Sequence, residues 1–284
     1  MVSIQSYSIL TGYEFLCAGS IVAPDFVLTT AHCLHGEKKE DLEIISGSKW
    51  SKRRLDFLSK VNDVKEIFIH EKWVISKAEN SCRIWLTYFF QNGKAFNDIA
   101  LIQSKGLFGE KPVELMPESG KIQDDTNCHF AGWGHYNRSI NQHSMFLKEM
   151  DVSVKKPNWL AQKILSTNLI WGKDKTETKA KVYFGDSGGP LLCPINQINY
   201  LVGTLTSANI FGYAEFVYLK KYLPWIKEKM GNPEMREKYV KSEENSSEEK
   251  FSDLTKFRLA NSSRAREVKI FNFLISFLLI KLLK

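Results

Sequence analysis

Gly185-Asp186-Ser187-Gly188-Gly189-Pro190 sets a serine on a tight, glycine-rich turn with bare backbone amides beside it. Glycine reaches backbone angles closed to residues with a β-carbon and leaves room for a carbonyl group to approach the main chain. A serine so placed has the makings of a nucleophile. The amides of Gly185 and Ser187 would face an oxygen that turns negative during acyl transfer. The same six residues also read as ordinary turn punctuation after a strand. Other parts of the chain decide between the two readings.

A serine hydroxyl attacks poorly unless a neighbouring base takes its proton. Val27-Leu28-Thr29-Thr30-Ala31-His32-Cys33 supplies a base: an apolar, β-favouring run ends in a small residue and a histidine beside a cysteine. His35, His70, His129, His135 and His143 read instead as solvent-exposed loop histidines. The base also needs a buried carboxylate to hold its tautomer and stabilise the imidazolium. Asn97-Asp98-Ile99-Ala100-Leu101 meets that need, with an aspartate directly ahead of an apolar strand and therefore at a core edge.

With His32, Asp98 and Ser187 in this order, the chain resembles the chymotrypsin/trypsin family of serine endopeptidases, and the catalytic roles are carried over from that family residue by residue. Cys17-Ala18-Gly19-Ser20-Ile21-Val22 ahead of the histidine, and Cys128 before Gly132-Trp133-Gly134, fall in register with the family. So do Phe216-Val217-Tyr218 and Tyr222-Leu223-Pro224-Trp225-Ile226, which resemble its last strand and closing helix. The resemblance implies an all-β fold of two antiparallel six-stranded β-barrels with a C-terminal helix, covering residues 1–229. The break between barrels is expected near Ser104 to Lys111, giving halves of about 1–104 and 105–229. Short apolar runs such as Leu42-Glu43-Ile44-Ile45, Val64 to Ile69 and Leu201 to Leu205, separated by Gly, Pro and Asn, agree with strands.

The resemblance pairs Cys17 with Cys33 and Cys128 with Cys193, which implies an oxidising, extracellular or secretory compartment. The fifth cysteine, Cys82, lies in Val74 to Phe96, longer than the family's usual connection. Its apolar run Ile84 to Phe90 is either an insertion that packs on the barrel or meets a partner, or the product of a faulty gene model.

Around the specificity pocket the chain departs from trypsin. Lys181 stands six residues before the serine, where trypsin has an aspartate that pairs with a basic substrate side chain, so the charge is reversed. Ala208 and Phe216 replace glycines that keep the pocket walls open, and Thr206 keeps the hydroxyl that the family directs at its catalytic aspartate. The expectation is a preference for small or acidic residues and no cleavage after Arg or Lys.

In the family, a new N-terminal ammonium pairs with the aspartate before the serine, here Asp186. Met1-Val2-Ser3-Ile4-Gln5 matches the first barrel strand, beyond that activation site. The expectation is a natural chain that begins upstream, the alternative an inactive product. A catalytically silent homologue that binds protein is the competing function.

Residues 230–269 alternate charged residues and serine and read as a flexible stalk. Residues 270–284 are mostly Ile, Phe and Leu but fall short of the ~20 residues a spanning helix needs. This tail resembles a lipid-anchor signal, with an amphipathic helix as the alternative, and is a candidate membrane attachment. Asn137-Arg138-Ser139, Asn245-Ser246-Ser247 and Asn261-Ser262-Ser263 fit the glycosylation sequon. The formal charge of +7 is spread along the chain without a nucleic-acid motif. No metal-spaced Cys/His cluster or phosphate loop occurs in the sequence, so no cofactor or metal is expected. The expected partners are a protein or peptide substrate and a macromolecular inhibitor.

Overall fold

Strand β3 (Phe26–Thr29) and strand β8 (Ala100–Ser104) are apolar on both faces because each separates two cores. Successive side chains of a strand point to opposite sides. Val27, Ala100 and Ile102 therefore enter the interior of a first barrel, while Phe26, Leu28 and Leu101 enter a layer outside it. That layer also takes Leu169, Leu201 and Val217 from later in the chain, and so joins two halves of the molecule.

The computed structural model of the chain describes residues 1–51, 59–75, 95–133, 135–137, 142–144, 146–156, 168–175, 186–208 and 213–231. Gly185, Lys181, Cys82, the apolar run 84–90, the charged stretch from 232 and the hydrophobic tail lie outside these residues. Among the described residues, no helix is long and apolar enough to cross a membrane.

The first barrel adds β1 (Val2–Ser8), β2 (Gly12–Ala23), β4 (Leu42–Ser46) and β5 (Lys60–Ile69) in the order β1-β2-β3-β8-β5-β4. It closes where β1 pairs antiparallel with β4, Ile4 opposite Ile44. Short strands β6 (Val74–Ile75) and β7 (Ala95–Phe96) pair with each other, so the ends of the long 74–96 segment meet at the barrel surface. Residues beyond Ser104 run between the barrels: Val113 N–H donates to Ile21 O, and Leu201 N–H to Glu114 O.

The second barrel comprises β9 (Thr126–Gly132), β12 (Lys148–Lys155), β13 (Leu169–Asp174), β14 (Pro190–Ile195), β15 (Ile198–Ala208) and β16 (Ala214–Tyr218), in the order β12-β13-β16-β15-β14-β9. A separate two-stranded sheet is formed by β10 (His135–Asn137) and β11 (Gln142–His143). Phe130, Val152, Ile170, Leu191, Val202 and Phe216 fill the second barrel's interior. The expected all-β fold of two closed six-stranded antiparallel barrels is therefore present, and the strand runs read from sequence lie within β4, β5 and β15. His129, read as a loop histidine, instead sits within β9, where its ring meets Asp151 of β12 across the sheet. The difference arises because an exposed strand face carries polar residues just as a loop does.

A one-turn helix α1 (Ala31–Leu34) follows β3, and helix α2 (Leu223–Met230) closes the described chain. Pro224 sits in the first turn of α2, where its missing N–H costs nothing. Ile226 and Leu223 are buried against the barrels.

Candidate active site

The pairing of β3 with β8 brings two site residues together before any side chain is considered. Thr29 lies opposite Ala100, so the residues just past the end of β3 and just before the start of β8 emerge at the same barrel rim. These are His32 and Asp98. The backbone N–H of His32 donates to Asp98 Oδ1 at 2.8 Å, and His32 Nδ1 lies 2.7 Å from Asp98 Oδ2. The hydroxyl of Thr206, from β15 of the second barrel, donates to the same Oδ2.

Asp98 is 1% exposed, and burial is the largest single influence on its carboxyl, pushing its pKa up. The hydrogen bond and charge of His32, the Thr206 hydroxyl and the His32 N–H together outweigh burial and hold it below the ordinary value. The carboxylate thus stays ionised in an apolar setting and accepts the Nδ1 proton, leaving Nε2 as the basic nitrogen.

Ser187 sits on a turn docked against the first barrel. Its carbonyl accepts from Ala18 N–H at 2.8 Å, Gly188 N–H donates to Leu205 O at 2.8 Å, and Leu205 N–H returns a bond to Gly189 O at 2.9 Å. Gly188 has φ +80°, a left-handed angle, and a Cβ there would overlap Ala18 O and Thr29 Oγ1. Only glycine fits both constraints. The Thr29 hydroxyl itself donates to Ala18 O at 2.9 Å, so the buried polar end of β3 supports the strand on which the turn rests.

Two disulfides brace these segments. Cys17, next to Ala18, is bonded to Cys33, next to His32, and Cys128 of β9 is bonded to Cys193 of β14. The Ser187 turn and the His32 helix are consequently both tied to the Cys17–Ala18 stretch of β2. Among the described residues the Ser187 hydroxyl makes no hydrogen bond to His32, whose Nε2 lies 3.7 Å from Cys33 Sγ. Cys17, His32 and Cys33 cluster closely enough to suggest metal ligands, but bonded sulfurs offer no thiolate.

Asp186 is buried and its carboxylate lies on the backbone of Gly132, where a Cβ would collide with Oδ1. Ala208 ends β15 opposite Ala214. Phe216 is fully buried inside the second barrel, 5.6 Å edge-on from Phe130 and against Gly172. Three features escaped the sequence reading: the support given by Thr29, the steric need for Gly132, and the buried pair in which Ser207 Oγ donates to Glu215 Oε2 at 2.7 Å. A single acidic residue inside the apolar run Ala214 to Tyr218 was the available signal for the last.

The chain is 25% identical over 243 residues to the human (Homo sapiens) hepatocyte growth factor activator serine protease, covering 78% of this chain and 34% of that protein. Against complement factor I of Mus musculus the identity is 26% over 245 residues, covering 79% and 36%. Against chymotrypsin-C of Mus musculus it is 26% over 248 residues, covering 77% and 79%. The chain thus spans about a third of the length of the first two relatives. The family model described as Trypsin matches residues 1–226, on a chain that folds as two six-stranded barrels with a histidine–aspartate pair at the rim of the first, and the chain belongs to the trypsin family.

Proposed function

We propose that the chain is a serine endopeptidase. Ser187 Oγ attacks a peptide carbonyl as His32 Nε2 takes its proton, and Asp98 holds the imidazole through Nδ1. The proton passes from Nε2 to the departing amine, and a water deprotonated by the same imidazole then frees the acyl group from Ser187. The amides of Gly185 and Ser187 donate to the oxyanion, each contributing about 2.7–4 kcal/mol to the transition state. Asp186 is the acceptor for an activating ammonium. The observation that carries the reading is the Asp98 carboxylate, buried yet ionised, bonded at once to the ring and backbone of His32 and to Thr206.

Specificity unlike that of trypsin follows from Lys181, Ala208 and Phe216. Small or acidic residues are the proposed preference. The proposed organisation is a peptidase unit over 1–229, a stalk over 230–269 and a tail over 270–284. The two disulfides support an extracellular or secretory location. Glycosylation, attachment to a membrane through the tail, and control by a macromolecular inhibitor belong to the same proposal.

A second reading is a silent homologue that binds protein through its cleft. A fluorophosphonate probe separates the two. Labelling of the wild-type chain and none of Ser187→Ala or His32→Ala is the peptidase outcome. An unlabelled wild-type chain, bearing its natural N-terminus, removes the enzyme reading. Efficient hydrolysis of an arginyl reporter peptide removes the specificity assignment alone.

A further inference from the structure

Asp98 is gripped from the front by His32 and Thr206, and the residue immediately behind it is gripped as firmly. Asn97 has φ +52°, in the left-handed region that asparagine tolerates better than most residues. Both ends of its side-chain amide are committed. Nδ2 donates to Lys72 O at 2.7 Å, and Oδ1 accepts from the Tyr222 hydroxyl at 3.0 Å and from Lys221 Nζ at 3.4 Å.

Tyr222 is 3% exposed and stands at the start of α2, 125 residues further along the chain. Burial first, and the Asp98 charge second, push its phenol up to about 12, so it remains a donor. The same helix grips the turn after β5. Trp225 Nε1 donates to Glu71 Oε2 at 2.9 Å, Lys229 Nζ meets Glu71 Oε1 at 2.6 Å, and the His70 ring lies 5.4 Å from Tyr222 and 5.1 Å from Trp225. His70 N–H in turn donates to Ile99 O, one residue past Asp98.

We propose that Asn97 and Tyr222 are positioning residues for Asp98: the closing helix, through the Tyr222–Asn97 hydrogen bond, sets the backbone corner from which the carboxylate reaches His32. Both Asp98 oxygens are in use, one on the His32 backbone and one on its ring, so the corner has little freedom to turn without losing one of them. A left-handed residue relaxes toward extended angles when its side-chain anchors go. A shift of tenths of an ångström at Asp98 would then be felt at the imidazole. The rate effect rests on the peptidase reading given above, while the geometric claim does not.

Tyr222→Phe keeps the ring against His70 and deletes only the hydroxyl. Asn97→Gly permits the left-handed angle without strain but deletes both anchors that enforce it, and it carries the test if the first variant does not fold. The readouts are the downfield proton NMR signal of His32 Nδ1–H with its solvent-exchange rate, and the rate of fluorophosphonate labelling at Ser187. Tyr222→Phe is expected to speed exchange and slow labelling by about tenfold, the effect of losing one hydrogen bond, and Asn97→Gly by at least as much. The double variant should lose no more than Asn97→Gly alone, because the two residues act through one contact. Trp225→Phe, on the same helix as the Tyr222 anchor, breaks the bond to Glu71 of the turn after β5 and should lower thermal stability while leaving both readouts unchanged. Wild-type exchange and labelling in Tyr222→Phe and Asn97→Gly overturn the proposal, as does an equal effect from Trp225→Phe. A wild-type chain that takes no label but whose His32 proton responds as expected upholds the positioning role and refutes the peptidase reading.

Discussion

Gly188→Ala tests whether the serine turn is held by shape. At φ +80° an alanine strains the backbone by about 1–2 kcal/mol. Its Cβ would also overlap Ala18 O and Thr29 Oγ1, two atoms already bonded to each other and unable to give way independently. Relief comes by moving the turn about 1 Å off β2, which strains the Ser187 O to Ala18 N–H bond and adds about 1–3 kcal/mol of overpacking. The total, roughly 2–5 kcal/mol, lowers the melting temperature by about 4–20 °C for a unit of this size. A displacement of that order at a nucleophile costs roughly 100-fold in rate. Gly36→Ala is the matched control: φ is +87° and nothing lies within 4 Å of the added Cβ. It suffers the backbone strain alone, about 1–2 kcal/mol, with labelling of Ser187 unchanged. Fluorophosphonate labelling kinetics and thermal melts of both variants decide the matter. Equal labelling rates for Gly188→Ala and Gly36→Ala would refute the steric account of the turn.

Thr206→Val removes one donor from a buried carboxylate and should slow labelling by roughly 10- to 150-fold, the range for hydrogen bonds to charged groups. Because the Asp98 pKa is lowered in the folded chain, its stabilising contribution is present above the ordinary carboxyl range and lost as the pH falls through the lowered value. Denaturant melts at descending pH should therefore show a loss of stability in acid that Asp98→Asn reduces but does not remove, since Glu71 is also held low. Asp98→Asn should also cut the rate by about 10⁴, the magnitude that the same substitution has in the family's own triad. Replacing both Cys17 and Cys33 by alanine opens a loop whose ends are 16 residues apart, costing about 3 kcal/mol in the chain-entropy model, which a urea melt would read. Phe216→Gly should cost about 3–5 kcal/mol through the cavity it leaves in the second barrel's core, which a urea melt would read.

The strand runs were legible because burial on one or both faces of a sheet leaves a local trace: Leu42 to Ile45 and Leu201 to Leu205 are mostly apolar, with Glu43 and Thr204 the exceptions. His32, Asp98 and Ser187 stood out as residue types in short patterns, and the structure puts a hydrogen bond between the first two. Asn97 and Tyr222 left no such trace. An asparagine ahead of a strand and a tyrosine ahead of a helix are each ordinary, and their meaning lies in a partner far along the chain.

Residue patterns alone were therefore enough to name an all-β chain, a serine on a glycine turn and a histidine followed by a buried aspartate. They could not say that Thr29 would face Ala100, that Gly188 would press on Ala18, or that α2 would reach back to the corner before Asp98. Those are outcomes of strand register and barrel packing, which depend on contacts between distant segments that form only when both barrels close.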